Sequence, residues 1–343
     1  MKVLFISKYY YPHIGGVERH VHEISEQLIN KNIKVSIITE KYNAELHDRT
    51  NNNGLEIIRI SYPKIKFLGL IVIWLKMLCH IKEFISADVV HIHDVFIWFL
   101  PLKLIFPFKP VFITFHGYED YPLKQKYLII RHISKKLSRG NICIGRFIEK
   151  WYKIKSDLIT YGAVNVELFN KNKSDKFVYD SIFIGRIDKH TGIDTYIKAA
   201  EILGKKSGFS LIVIGDGVNK KISGKNIIFL GSINNVEDYL SKARFIFVSR
   251  YLSILEAFAS KKLVFSVYDN PLKEDYLRMT PFSKWLIICK NSEDLVLKVN
   301  YYLNNPSAVD NIVNEAFDWV SKYSWTLLTE QYLRLWDSKK FKT

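Results

Sequence analysis

The sequence predicts an α/β protein made of two doubly wound, parallel-sheet (Rossmann-like) domains facing across a cleft. Three observations point there. The chain has 343 residues, which suits two domains of roughly 150 better than one. Short apolar runs alternate with helix-period stretches through both halves. The alternation breaks at the polar stretch Asn170-Lys-Asn-Lys-Ser-Asp-Lys176 and then restarts. The expected division is 1–170 and 171–324, followed by a closing helical segment within 325–343.

In the first half, Val3–Ser7 reads as a buried strand, and the loop from Lys8 to Gly15 leads into a helix. That helix, Gly16 to Asn30, places Val17, Val21, Ile24 and Leu28 on one face. Strands follow at Val35–Thr39, Leu55–Ile60, Val89–His93, Val111–Phe115, Asn141–Gly145 and Leu158–Thr160. Strands separated by helices in this order imply a parallel sheet covered on both faces. In the second half, strands are expected at Val178–Ile184, Leu211–Gly215, Ile227–Leu230, Arg244–Val248, Leu263–Ser266 and Leu286–Ile288. Helices are expected at Gly192–Leu203, Val236–Lys242, Leu255–Ser260, Ser292–Leu303, Val309–Val320 and Trp325–Asp337. Open sheets of this kind bind ligands at the carboxyl ends of their strands.

Composition narrows the partners. With 48% hydrophobic and 24% charged residues, the chain has enough apolar material for sizeable cores, which excludes a disordered or fibrous protein. Cys79, Cys143 and Cys289 are too few for a disulfide framework and read as core thiols in a reducing compartment. The net charge of +16 is spread over both halves and favours anionic partners. No nucleic-acid-binding module accompanies it, so nucleic acid is not expected. No signal peptide is visible at Met1–Ser7, and the run Phe67–Leu75 is too short to span a bilayer. The expected location is cytoplasmic, with docking on the membrane's inner face as an option.

Several strand ends carry residues suited to an anionic ligand. Gly15 and Gly16 open the first helix, where bare N–H groups point outward; a plain tight turn fits equally. Arg186 follows Gly185 at the tip of the first strand of the second domain and could fork onto a phosphate, with Lys189 nearby. Gly215-Asp216-Gly217 ends the next strand in a tight turn. Ser249 to Glu256 turns from a strand into a helix. The N–H groups of Leu252 and Ser253 could cradle a phosphate, and Glu256, expected in the first helical turn, could accept sugar hydroxyls. His116 ends a first-domain strand and could position a hydroxyl or stabilise developing charge. His91 and His93 alternate along one strand, but no third ligand accompanies them, so no metal is expected.

Taken together, the order of these pieces resembles a retaining GT-B glycosyltransferase of the family 4 (glycosyl transferases group 1) type. The matching segments are Gly15-Gly16-Val17-Glu18-Arg19, Phe115-His116-Gly117, Tyr161-Gly162-Ala163-Val164-Asn165 through Phe169, Gly185-Arg186 through Gly192-Ile193-Asp194, Ile214-Gly215-Asp216-Gly217, Phe229-Leu230-Gly231, and Ser249 through Glu256-Ala257. The resemblance runs from residue 1 to about 335. It implies a hexosyltransferase-like enzyme (EC 2.4) that takes a nucleotide-sugar donor in the second domain and a glycan or lipid-linked acceptor in the first, with no cofactor and no metal. It further implies a donor diphosphate between Gly16 and Arg186, a donor-ribose contact from Glu256, a sugar contact from His116, and a last helix returning to the first domain. Retention would come from front-face attack, the leaving phosphate taking the acceptor's proton.

The sequence departs from the family at two places. Eight residues before Glu256, where a first glutamate is expected, stands Val248. The lysine expected before Gly192 is Thr191, with Lys189 as the candidate substitute. These departures keep open a catalytically weak or inactive nucleotide-sugar-binding protein on this fold. A nucleotide-sugar epimerase of the related two-domain architecture is the other alternative, and it would need extra acid/base carboxylates and histidines that the sequence does not clearly offer. Two apolar, aromatic, lysine-flanked stretches, Lys64–Lys76 and Phe96–Lys109, suit either core helices or an anionic membrane surface.

Overall fold

The computed structural model describes residues 1–170, 177–217 and 225–340. The chain divides into two compact units, residues 1–160 with 325–343, and residues 161–324. The division falls at Thr160/Tyr161, earlier than the polar stretch, of which residues 171–176 lie outside the described residues.

The first unit holds the strands β1 (Lys2–Ser7), β2 (Lys34–Glu40), β3 (Arg49–Asn52), β4 (Leu55–Ile60), β5 (Val89–His93), β6 (Val111–His116), β7 (Gly140–Ile144) and β8 (Leu158–Thr160). They form one sheet in the order β3-β4-β2-β1-β5-β6-β7-β8. Phe5 of β1 pairs with Ile37 on one side and His91 on the other, both parallel. Val3, Leu4, Phe5 and Ile6 are completely buried, as a strand covered on both faces requires. The helices between them are α1 (Gly16–Asn30), α2 (Lys66–Cys79), α3 (Ile81–Ser86), α4 (Phe96–Ile105), α5 (Gln125–Leu137) and α6 (Phe147–Tyr152).

β3 was not expected. It runs antiparallel to β4 at the sheet edge and is built from Arg-Thr-Asn-Asn, with no apolar alternation to announce it. The signal that could have found it is Asn53-Gly54, both at positive φ, the pair favoured in a two-residue hairpin turn.

The apolar stretches Lys64–Lys76 and Phe96–Lys109 separate by role. α4 buries Phe96, Trp98, Phe99 and Leu102. α2 buries Gly69, Ile73 and Met77, and Trp74 Nε1 donates to the Ile97 carbonyl at 2.8 Å to hold it against α4. The opposite face of α2 exposes Phe67, Leu68, Ile71 and Leu75.

The second unit begins with α7 (Val166–Asn170) and carries a six-stranded, wholly parallel sheet. Its strands are β9 (Tyr179–Ile184), β10 (Leu211–Ile214), β11 (Ile227–Gly231), β12 (Ala243–Phe247), β13 (Leu263–Val267) and β14 (Leu286–Cys289), in the order β11-β10-β9-β12-β13-β14. The helices are α8 (Ile193–Ser207), α9 (Val236–Lys242), α10 (Tyr251–Ala259), α11 (Pro271–Arg278), α12 (Ser292–Asn304) and α13 (Pro306–Val320). Strand order reverses between β9 and β12, so their carboxyl ends open the natural ligand crevice of this unit.

The last helix, α14 (Trp325–Lys340), belongs to the first unit and packs along α1. Trp336 Nε1 donates to His91 Nδ1 at 3.0 Å, and the Tyr332 hydroxyl meets His20 Nε2 at 2.8 Å. Both aromatic side chains are completely buried.

Candidate functional site

In the second unit, β9 and β10 end on glycines because their backbones approach too closely for any side chain. A Cβ on Gly215 would lie 1.8 Å from the Gly185 carbonyl oxygen, and one on Gly217 would lie 2.2 Å from that of Ile187. The Gly185 N–H donates to Ile214 at 3.1 Å, and the Ile187 N–H donates to Asp216 at 2.9 Å. Gly215 therefore seals the two strand ends together. Beyond this seam Arg186 turns outward, 64% exposed in its side chain, with its Nε 3.2 Å from Asp188 Oδ2. Lys189 is exposed in the same loop. Thr191, where the family pattern has lysine, is buried; its hydroxyl donates to the carbonyls of Arg186 (2.9 Å) and Asp188 (2.7 Å). It fixes the loop that presents Arg186.

Across the strand-order reversal, β12 passes into α10 through Val248, Ser249 and Arg250 alone. The expected helix start at Leu255 is corrected to Tyr251, because Ile254 N–H already bonds to the Arg250 carbonyl at 3.0 Å. Glu256 is consequently not in the first turn but in the sixth position of the helix, buried. Helix-dipole support for its carboxylate, strongest within the first turn, is correspondingly small there. Leu252 and Ser253 take the first-turn positions, whose N–H groups have no acceptor within the helix. Ser249 is buried, and its hydroxyl is engaged with Tyr196 (2.7 Å) and Val267 N–H (3.2 Å), so it braces α8 against β13. Val248 is completely buried, and the short connection leaves no loop to carry a glutamate at that point.

Sequence reasoning missed Lys273. It is 2% exposed on α11, and its Nζ donates to the Ser249 carbonyl and sits 4.1 Å from the Tyr276 ring centre. Burial, reinforced by the Arg250 charge, pushes its amine well below the ordinary lysine range. No periodicity marks it, since α11 is otherwise a polar helix capped by Asn270, whose Oδ1 accepts from Lys273 N–H at 2.9 Å.

In the first unit, Gly15 caps α1 in an extended conformation at φ −177, and Gly16 is the first helical residue. The carboxylate beside them is the chain's own: Glu18, buried in the first turn, leans over Gly15, with its Oε1 2.8 Å from His13 Nδ1. His116 ends β6, its Nε2 2.9 Å from His93 Nδ1 and its backbone N–H donating to Asp94 Oδ1 at 2.8 Å. Behind it, His91 Nε2 meets the Thr114 hydroxyl at 2.8 Å, and His20 stacks edge-on to His116. Burial holds His20 down at about 3 and pushes His91, His93 and His116 well below the ordinary histidine range. His116 is thus neutral near pH 7. It can position a hydroxyl, but it carries no positive charge for a developing anion. Asp94, also missed, has its carboxyl raised to about 7 by burial, against the opposing pull of Arg131 and the His116 N–H. Among the described residues no three His, Cys, Asp or Glu side chains are placed to share a metal ion.

The family model described as "Glycosyltransferase Family 4" matches residues 14–155, and that described as "Glycosyl transferases group 1" matches residues 165–319. The chain is a family 4 glycosyltransferase. An uncharacterized glycosyltransferase of Methanocaldococcus jannaschii is 26% identical to this transferase, covering 95% of each chain. An α-1,4-N-acetyl-D-galactosaminyltransferase of Campylobacter jejuni is 23% identical, covering 66% of this chain and 67% of its own length. Among solved structures, sucrose-phosphate synthase from Thermosynechococcus elongatus superposes with a TM-score of 0.79 at 16% identity, over 98% of each chain. The Anabaena protein HepE, crystallised with UDP and glucose, superposes at 0.78 and 14% identity, over 98% of this chain and all of that one. These likenesses establish the GT-B fold for the transferase.

Proposed function

We propose that the transferase moves a sugar from a nucleotide-sugar donor, bound by the second unit, to a glycan or lipid-linked acceptor bound by the first. The observation that carries this reading is the grouping at one sheet edge of the second unit. Arg186 and Lys189 follow β9, and the first-turn N–H groups of Leu252 and Ser253 follow β12, on the two sides of the strand-order reversal. A diphosphate needs such fixed positive ends, and a leaving nucleoside diphosphate needs them most. These groups supply the charge compensation, so the reading expects no divalent metal. The reading keeps retention: the acceptor oxygen bonds to the anomeric carbon on the face from which the phosphate departs, the bond to that phosphate breaks, and the phosphate takes the acceptor's proton. His116, neutral and backed by His93, is the first unit's candidate for positioning a sugar hydroxyl. The acceptor assignment draws on the Campylobacter relative, whose name places its acceptor on undecaprenol diphosphate. It draws also on the apolar face of α2, which suits peripheral docking on an anionic membrane. No helix among the described residues is long and apolar enough to cross a membrane.

Thermal-shift screening against nucleoside diphosphates tests the donor half, because a ligand that binds only the folded state raises the melting point. At least one diphosphate should stabilise the wild type, and Arg186→Ala should abolish that shift while leaving the unliganded melting point in place. A full shift in Arg186→Ala would remove the arginine from the donor site. A panel of nucleotide sugars with EDTA present then identifies the sugar, and activity lost to EDTA and restored by a divalent ion would refute metal independence.

A further inference from the structure

An open cavity of about 330 Å³ lies at the carboxyl edge of the first unit's sheet. Lys8 and Tyr9 reach it from the loop after β1, Tyr62 and Lys64 from the loop after β4, and Lys66 and Leu70 from α2. Its size falls within the range of small-molecule sites.

The cavity is built rather than incidental. Glu40, 2% exposed at the end of β2, accepts from both the Tyr62 hydroxyl and Lys64 Nζ, which ties down the loop carrying them. Gly69 lets α2 lie against this loop, since a Cβ there would stand 2.5 Å from the Pro63 carbonyl oxygen. Glu40 offsets the charge of Lys64, so the excess positive charge on the rim comes from Lys8 and Lys66. Both are exposed, and each ammonium lies over an aromatic ring, Tyr9 at 4.8 Å and Phe67 at 5.6 Å.

Beyond Lys66 the same helix shows an apolar stripe. Phe67, Ile71 and Leu75 follow one another at every fourth residue and are 75%, 49% and 58% exposed. A soluble anion would engage the lysines and leave this stripe in water. An apolar partner would cover the stripe and leave the lysines without a counter-charge. A molecule with a phosphate head and a hydrocarbon tail satisfies both.

We infer that the cavity between the β1 and β4 loops and the start of α2 holds the phosphate head of a lipid-linked acceptor, with the hydrocarbon tail running along Phe67, Ile71 and Leu75. This rests on the acceptor half of the proposed function and is independent of the donor half. Lys8 and Lys66 act as point charges on flexible stems, a form of phosphate recognition that tolerates one or two phosphate groups.

Calorimetry with farnesyl phosphate as a soluble probe tests it, alongside inorganic phosphate and farnesol as separate ligands. The wild type should bind farnesyl phosphate at least roughly tenfold more tightly than either fragment. The double variant Lys8→Gln/Lys66→Gln should lose roughly tenfold or more of that affinity. Phe67→Ser/Leu75→Ser should weaken farnesyl phosphate and leave inorganic phosphate unchanged. Inorganic phosphate binding as tightly as farnesyl phosphate would mean a free-anion site, and farnesol binding as tightly would mean an apolar patch; either overturns the assignment. Unchanged affinity in the lysine variant overturns it too. The nucleoside-diphosphate thermal shift of the same lysine variant, expected to equal that of wild type, keeps a failed cavity distinct from a failed donor site. Farnesyl phosphate binding without any binding to anionic vesicles would refute membrane docking and leave the cavity standing.

Discussion

Single residues in this transferase are fixed by quite different physics, and their legibility differs accordingly. Gly215 combines φ +142 with a backbone carbonyl 1.8 Å from any Cβ, so it has no steric slack. Gly215→Ala should lower stability by more than about 2 kcal/mol, read as a fall in the urea midpoint at unchanged slope; a change below about 0.5 kcal/mol would contradict the close strand contact. That glycine was visible in the sequence because turn chemistry leaves a local signature. Lys273 and Asp94 were not, because what sets them apart is burial by distant parts of the chain: Ser249 and Arg250 around the lysine, Arg131 and His116 around the acid. Glu256 shows the intermediate case. Its identity was legible, but its helical position was not, because Arg250 starts the helix without any side-chain cap to mark the boundary.

At the level of elements, β1, β5 and β6 with α1 and α14 enclose four histidines. His20, His91, His93 and His116 are held neutral by burial, whereas in the unfolded chain they take up protons below about pH 6.5. Each therefore contributes stability that is lost as pH falls through that value. Asp94 has the opposite sign: its folded carboxyl, raised to about 7, holds a proton that the unfolded chain releases above about 4, so its contribution improves as pH falls. Four histidines against one aspartic acid leave a net uptake of protons on unfolding below about pH 6.5, so stability falls on acidification. Apart from His190, every histidine lies in the first unit. Hydrogen exchange at pH 7.5 and pH 5 should show β5, β6 and α14 losing protection on acidification while β9 and β12 keep theirs. A parallel loss in both units would show that these histidines do not control acid stability. The strands themselves were readable from their apolar runs, and β3 was not, because an edge strand of Arg-Thr-Asn-Asn has no buried face to pattern.

For the whole molecule, a net charge of +16 and an exposed apolar helix face would bear on the proposed membrane docking under different conditions. If docking on an anionic membrane follows the proposal, binding to phosphatidylserine vesicles should weaken at least roughly tenfold between 0.05 and 0.3 M salt, as screening shortens the reach of the lysines. Phe67→Ser should weaken it at every salt concentration. Binding insensitive to both would exclude this surface. The two-unit architecture was legible because the strand–helix alternation restarts after the polar stretch, yet the chain's return to the first unit left no mark that periodicity alone could read. That return has a consequence for biosynthesis. His20 and His91 are translated before the second unit, but Trp336 and Tyr332, which cover them, are translated after it. The second unit has its whole core once Ser324 has left the ribosome, whereas the first, although begun earlier, must wait with an open flank for α14. The half that starts first is finished last, and it is the half that a chaperone would be expected to shelter on the nascent chain.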